Sequence, residues 1–119
     1  MDGLVLTAED VGQPVGFAAT QACADALHLW ELAVRHDAQG RGAGRALMAA
    51  VCDLARRRRL AAVTLSTFRD IPWNGPFYAR LGFGELSATD LNPRLAAVLA
   101  REAELGLDVA ARCAMRLDL

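Results

Sequence analysis

The sequence predicts a mixed α/β fold over residues 1–119, a mainly antiparallel sheet with a central parallel strand-helix-strand unit. Three observations predict it. Leu27 to Val34 is an apolar run of strand length, and Gln39-Gly40-Arg41-Gly42-Ala43-Gly44 follows it as a glycine-rich loop. Arg41 to Arg58 then repeats apolar residues at helical spacing ahead of the β-rich Leu60 to Thr67. A strand, a tight loop, a helix and a second strand in that order make a right-handed crossover between parallel neighbours. A chain of 119 residues with 54% hydrophobic composition is long enough for one core and too short for two domains, so a single domain is expected.

The remaining elements follow from local patterning. Leu4 to Glu9 and Val15 to Gln21 are short apolar segments separated by Asp10-Val11-Gly12-Gln13-Pro14, which reads as an antiparallel hairpin. On the helix after the glycine loop, Ala43, Leu47, Ala50, Val51 and Leu54 share the face that should cover the sheet. A short helix is expected from about Pro76 to Leu81, because proline suits a first helical position and Gly82 suits the C-terminal cap. Asn92-Pro93 opens another helix, which should end near Gly106. Cys113, Met115 and Leu117 alternate with Arg112, Ala114, Arg116 and Asp118, the pattern of a half-exposed last strand.

Charge and composition exclude several classes. A net charge of −1 argues against a polyanion-binding protein, so no nucleic-acid partner is expected. No apolar stretch approaches the length of a membrane span, and Met1-Asp2-Gly3 lacks the basic region of a secretory signal. The expectation is a soluble cytoplasmic protein with no membrane partner. Cys23, Cys52 and Cys113 lie in apolar surroundings without metal-ligand spacing and read as buried thiols, so no metal site is expected. His28 and His36 lack a spaced partner. Arg56 to Arg59 complement the dipole of the helix they terminate. A 3′-phosphate or nucleic-acid contact is the lesser reading of that run. Trp30 and Trp73 either line an acceptor pocket or serve as apolar packing.

The glycine loop carries the chemistry. Without Cβ atoms the backbone turns tightly and approaches a ligand closely, while the first helical N–H groups lack an intrahelical acceptor and carry partial positive charge. A phosphate or pyrophosphate is the natural guest. A Walker loop needs a lysine, and this chain contains none. The dinucleotide fingerprint needs a further Gly or Ala where this sequence has Arg45 or Leu47, depending on register. The spacing that fits is Gln/Arg-x-x-Gly-x-Gly/Ala, read as Gln39-x-x-Gly42-x-Gly44. It resembles the acyl-CoA pyrophosphate loop of the GNAT superfamily of N-acyltransferases. A second segment, Thr67 to Phe83, with Asn74 ahead of Tyr78-Ala79-Arg80-Leu81-Gly82-Phe83, is similar to that family's other signature, an Asn ahead of a helix ending in Tyr-x-x-x-Gly-Phe. The resemblance covers roughly Val5 to Phe83 and, less specifically, the tail.

The resemblance implies acetyl-CoA as cofactor and a small-molecule or peptide amine as acceptor. Backbone N–H groups of Gly40, Arg41, Gly42, Ala43, Gly44 and Arg45 would hold the pyrophosphate. Leu32, Ala33 and Val34 would offer main-chain groups to the pantetheine and thioester, and an N–H of this strand would stabilise the oxyanion. Asn74 would hold the pantetheine arm or a water; a helix cap is the alternative. Tyr78, the only tyrosine, would protonate the departing thiolate, or is simply an aromatic of the packed helix. Along Leu27 to Val34 strict alternation puts Leu27, Leu29, Glu31 and Ala33 on one face, so Glu31 is a carboxylate in an apolar row. It is either a partly desolvated general base with a raised pKa or a strand-edge Glu that reaches solvent or an arginine.

The sequence supports two functional readings. One is an N-acetyltransferase working by direct attack in a ternary complex; the other is a catalytically weak CoA-binding or protein-interaction module. The family's usual first strand and first helices have no counterpart before Leu4. An unpaired strand edge and an uncovered sheet face would follow, and a homodimer is expected to bury them.

Overall fold

In the computed structural model, which describes residues 3–119, the chain forms two compact units, residues 3–63 with Leu119 and residues 64–118. The reading of Met1-Asp2 lies outside the described residues. The fold class is the expected one: among the described residues there are six strands in a mixed, mainly antiparallel arrangement with one parallel pair, and three helices.

In the first unit β1 (Gly3–Asp10) and β2 (Gln13–Ala22) form the hairpin, turning through Val11 and Gly12, and β2 pairs antiparallel with β3 (Leu27–Val34). A 3₁₀ turn at His36–Ala38 and the glycine loop lead into α1 (Ala43–Arg57). That helix lies on the three strands with Leu47, Met48, Val51 and Ala55 buried, and Ala18, Leu27 and Leu29 of the strands are buried too. Ala43, Ala50 and Leu54 are only half-buried, so the covered stripe is rotated from the expected one toward Met48 and Ala55. Gly16 permits the close approach: a Cβ there would stand 2.7 Å from the Ala33 carbonyl oxygen and 3.3 Å from Leu47 Cδ1.

The pairing of β2 with β3 corrects one expectation. Thr20 faces Leu29 and Ala19 faces Glu31, so Trp30 is an extra residue, a β-bulge. Past it the alternation is offset by one. Leu32 and Val34 follow Leu27 and Leu29 on the α1 side, paired with Ala18 and Gly16, while Glu31 and Ala33 pair with Ala19 and Phe17 on the other. Glu31 is therefore not inserted in the apolar row. It stands exposed on the face away from α1.

β4 (Ala62–Phe68) carries the chain into the second unit, which continues with α2 (Gly75–Arg80), β5 (Gly84–Glu85), α3 (Pro93–Glu104) and β6 (Arg112–Asp118). The α3 N-cap forms as expected, Asn92 Oδ1 accepting from the Leu95 N–H at 2.8 Å. The last strand departs from its half-exposed reading, because Cys113, Ala114 and Met115 are all buried. Both of its faces are covered within the unit. Arg112, on the Ala114 side, reaches Glu102 of α3 at 3.0 Å, with the Ser66 hydroxyl bonded to the same carboxylate. On the other side the Leu117 Cδ1 lies 3.2 Å from where a Cβ of Gly82 would be.

Candidate active site

The sequence between β3 and α1 folds so as to leave a helix start bare. Gly40 and Gly42 adopt φ of 81° and 85°, the left-handed region that side chains resist, and Gly42 is the α1 N-cap. It supplies no side-chain cap, and the first turn contains no acidic residue. The Ala46 N–H donates to the Gly42 carbonyl at 2.9 Å, so the amides of Ala43, Gly44 and Arg45 precede the first helical donor and have no intrahelical acceptor. Nothing lies within 4 Å of a Cβ built on Gly40 or Gly42. The loop is thus an open nest of N–H groups at the positive end of a 15-residue helix.

Side chains hold the loop from behind. Gln39 Nε2 donates to the Val34 carbonyl at 3.2 Å, so Gln39 ties the loop to the strand. Arg35 donates to Asp37 through Nε at 3.0 Å and through Nη2 at 2.6 Å, and its other terminal nitrogen reaches the Pro14 carbonyl. That hydrogen-bonded arginine lowers the Asp37 pKa. A groove of about 410 Å³ opens beside α1, lined by Ala8, Glu9, Asp10 and Val15 of the hairpin and by Ala38, Arg41, Gly42, Ala43 and Ala46. Arg41 stands 3.6 Å from the Asp10 carboxylate. Sequence reasoning did not single out Glu9 or Asp10. Their separation from the loop along the chain left no local signal, and only the hairpin pairing brings them to it.

In β3, Leu32, Ala33 and Val34 are half-buried and paired with β2, with the bulge immediately before them. Glu31 is exposed, so it is not the partly desolvated carboxylate that was expected.

In the second unit the Asn74 main-chain carbonyl accepts from the Tyr78 N–H at 3.0 Å, one turn apart. The Asn74 side chain does not cap α2; its Oδ1 accepts from the Thr67 hydroxyl at 2.9 Å. A Cβ on Gly75 would collide with the Arg69 carbonyl oxygen, so glycine is required where the loop doubles back. Tyr78 is 7% exposed, with edge-to-face contacts to Phe77 and Phe83 at 5.1 and 5.7 Å between centroids. Burial pushes its pKa up to about 12. Trp73, in the same loop, is 75% exposed rather than packed.

Burial also pushes the Cys52 and Cys113 thiols up, which keeps them protonated and poor nucleophiles. Cys113 is buried as expected, whereas Cys23 and Cys52 are half-buried. Among the described residues no group of three His, Cys, Asp or Glu side chains converges as a metal site, and no helix is long and apolar enough to cross a membrane.

Comparison with known proteins identifies the frame. The acetyltransferase (GNAT) domain family matches residues 1–85. Among solved structures, the PaiA N-acetyltransferase of Thermoplasma acidophilum, in complex with coenzyme A, superimposes with a TM-score of 0.75 at 16% identity over 100% of this chain and 62% of its own. The ribosomal-protein-S18-alanine N-acetyltransferase of Escherichia coli gives 0.72 at 22% identity, over 98% of this chain and 68% of its own. The N-acetylglutamate synthase of Neisseria gonorrhoeae, complexed with coenzyme A and N-acetyl-glutamate, gives 0.73 at 23%, over 97% of this chain and 25% of its own. These chains share the fold, and this chain spans less than two thirds of the first and a quarter of the last. With the glycine loop, the Asn-to-Tyr segment and the match over residues 1–85 in agreement, the chain belongs to the GNAT acetyltransferase family.

Proposed function

We propose that this chain is an acyl-CoA-dependent N-acyltransferase, most simply moving the acetyl group of acetyl-CoA to a primary amine of a small molecule or peptide by direct attack in a ternary complex. The observation that carries the reading is the uncapped start of α1, with two left-handed glycines in front of it and no acidic residue in its first turn. An anion there meets N–H groups and the helix dipole together. The family match supports a pyrophosphate as that anion.

The residues then have definite work. The amides of Gly40 to Arg45 hold the diphosphate, and Arg41 exchanges Asp10 for it. An exposed pair such as Arg41 with Asp10 contributes at most about 1 kcal/mol, so little opposes the exchange. Gln39 keeps the loop closed on Val34, and Leu32, Ala33 and Val34 offer main-chain groups to the pantetheine arm and the acyl oxygen. Glu31, solvated, takes the proton of the acceptor ammonium directly or through water. Asn74, with its carbonyl oxygen engaged by Thr67, offers its amide nitrogen to the pantetheine or to a water. Tyr78 is the hydrogen-bond donor that this reading assigns to the departing sulfur. Its pKa of about 12 against roughly 8.5 for a thiol makes complete proton transfer uphill by about 5 kcal/mol. Donation is therefore a matter of stabilising a thiolate as it forms.

The test of the cofactor site is calorimetry with CoA and with pantetheine. Gly42→Val adds a branched side chain at a φ of 85° and should weaken CoA binding by tenfold or more while pantetheine is unaffected. Equal CoA binding in both proteins would remove the site.

We also propose self-association along β1, an edge strand whose Val5 is 68% exposed. Sedimentation should give a dimer at micromolar concentration that Val5→Lys dissociates. A monomer at all concentrations would refute it.

A further inference from the structure

The bulge in β3 gives Trp30 no partner across the strand pair, and its side chain lies with Gln21 and His28 on the face that also presents Glu31. The indole is 53% exposed, yet it is held at two points. Nε1 donates to the Gln21 side-chain oxygen at 3.0 Å, and the ring meets the buried His28 ring edge-to-face, 4.5 Å between centroids. A single exposed aromatic is ordinary; one whose orientation is fixed while its surface stays open is a platform. The next residue along the strand is the exposed carboxylate of Glu31. An indole face and a carboxylate side by side are complementary to a cation, since the ring quadrupole and the formal charge act with the same sign.

We propose that Trp30, with Glu31, forms a cation-recognition subsite for the acceptor, selecting amines that carry a second positive charge. Resting on the acetyl-transfer reading, it names the substrate class of that site. One amino group of a diamine loses its proton to Glu31 and attacks the acetyl carbonyl of acetyl-CoA, forming the C–N bond as the thioester C–S bond breaks and CoA leaves as its thiolate. The other amino group keeps its charge and sits on the face of Trp30. Gln21 acts as a positioning residue by fixing the indole.

Two experiments test this. The first measures amine-dependent release of CoA with diaminobutane, butylamine and phenylethylamine, in the wild type, Trp30→Ala and Trp30→Phe. Diaminobutane should exceed butylamine about three- to tenfold in kcat/KM, with the difference residing in KM. Trp30→Ala should abolish that advantage and Trp30→Phe retain part of it. An undiminished advantage in Trp30→Ala, or a preference for phenylethylamine that the same variant abolishes, would overturn the proposal, the latter by making Trp30 a stacking surface for aromatic acceptors. The second uses Trp73→Phe, which leaves Trp30 as the sole tryptophan of the two. In that protein with CoA bound, choline should change the emission saturably, and its uncharged isostere dimethylbutanol should not. A choline response without turnover of any amine would count against acetyl transfer and for the subsite. Turnover with no choline response and no diamine advantage would refute the subsite and leave acetyl transfer standing.

Discussion

The Thr67 hydroxyl in β4 donates to the Asn74 side-chain oxygen ahead of α2, at 2.9 Å. This bond engages the oxygen end of the amide, so the nitrogen end is the donor that the proposed function assigns to the cofactor. Thr67→Val keeps the shape and removes the donor, so it should cost about 1 kcal/mol in urea denaturation. CoA affinity should fall severalfold by calorimetry, and Thr67→Ser should restore it. If Thr67→Val binds CoA as tightly as the wild type, Asn74 is not oriented for the cofactor by this bond.

Tyr78 is the chain's one tyrosine, so phenolate absorbance reports it alone. Burial raises its pKa to about 12, and the titration should show a midpoint there in the folded protein against about 10 in denaturant. In the unfolded chain the proton leaves first. The stability this group contributes is therefore fully present below pH 10 and is lost as pH rises toward 12, by up to about 2.7 kcal/mol. Tyr78→Phe should lack that loss. A folded-state midpoint near 10 would mean an exposed hydroxyl and would undo the argument that Tyr78 donates a hydrogen bond rather than a free proton.

All three α-helices end in the same pair of hydrogen bonds, with one residue in the left-handed region. In α2 that residue is Gly82 and in α3 it is Gly106, but in α1 it is Arg59, with φ of 60°. The Arg59 N–H bonds Arg56 at 3.0 Å and the Leu60 N–H bonds Ala55 at 2.9 Å, so the geometry is that of a glycine cap without the glycine. Arg59→Gly relieves left-handed strain at some cost in chain entropy and should stabilise by about 0.5–1 kcal/mol. A rise of about 2–4 °C in Tm is the calorimetric signature. A fall would show that the Arg59 side chain makes a stabilising contact.

Where local sequence determines structure, the reading succeeded. Asn92-Pro93, Pro76 and the glycines at 40, 42, 82 and 106 each act through a constraint on one or two residues, and those elements stand where they were expected. Leu27–Val34 was legible as a strand, yet the face of Glu31 was not, because the bulge is a property of the pair β2 and β3 and no residue in β3 announces it. Ala114 reads as an exposed position from alternation alone, yet it is buried, on the strand face where Arg112 pairs with Glu102 of α3. Asp10 beside Arg41 and Thr67 beside Asn74 were invisible for the same reason, each joining segments that only tertiary folding brings together. Two motifs sufficed for the family because each encodes its own local geometry.

Amine-dependent release of CoA from acetyl-CoA, followed with a thiol reagent, tests the central claim most directly. Wild type should release CoA in proportion to acetylated amine, Tyr78→Phe should bind acetyl-CoA normally yet turn over at least tenfold more slowly, and Gly42→Val should fail at the binding step. Acetyl-CoA binding with no amine-dependent release across primary amines and peptide N-termini would contradict the account and leave a CoA-binding module in its place.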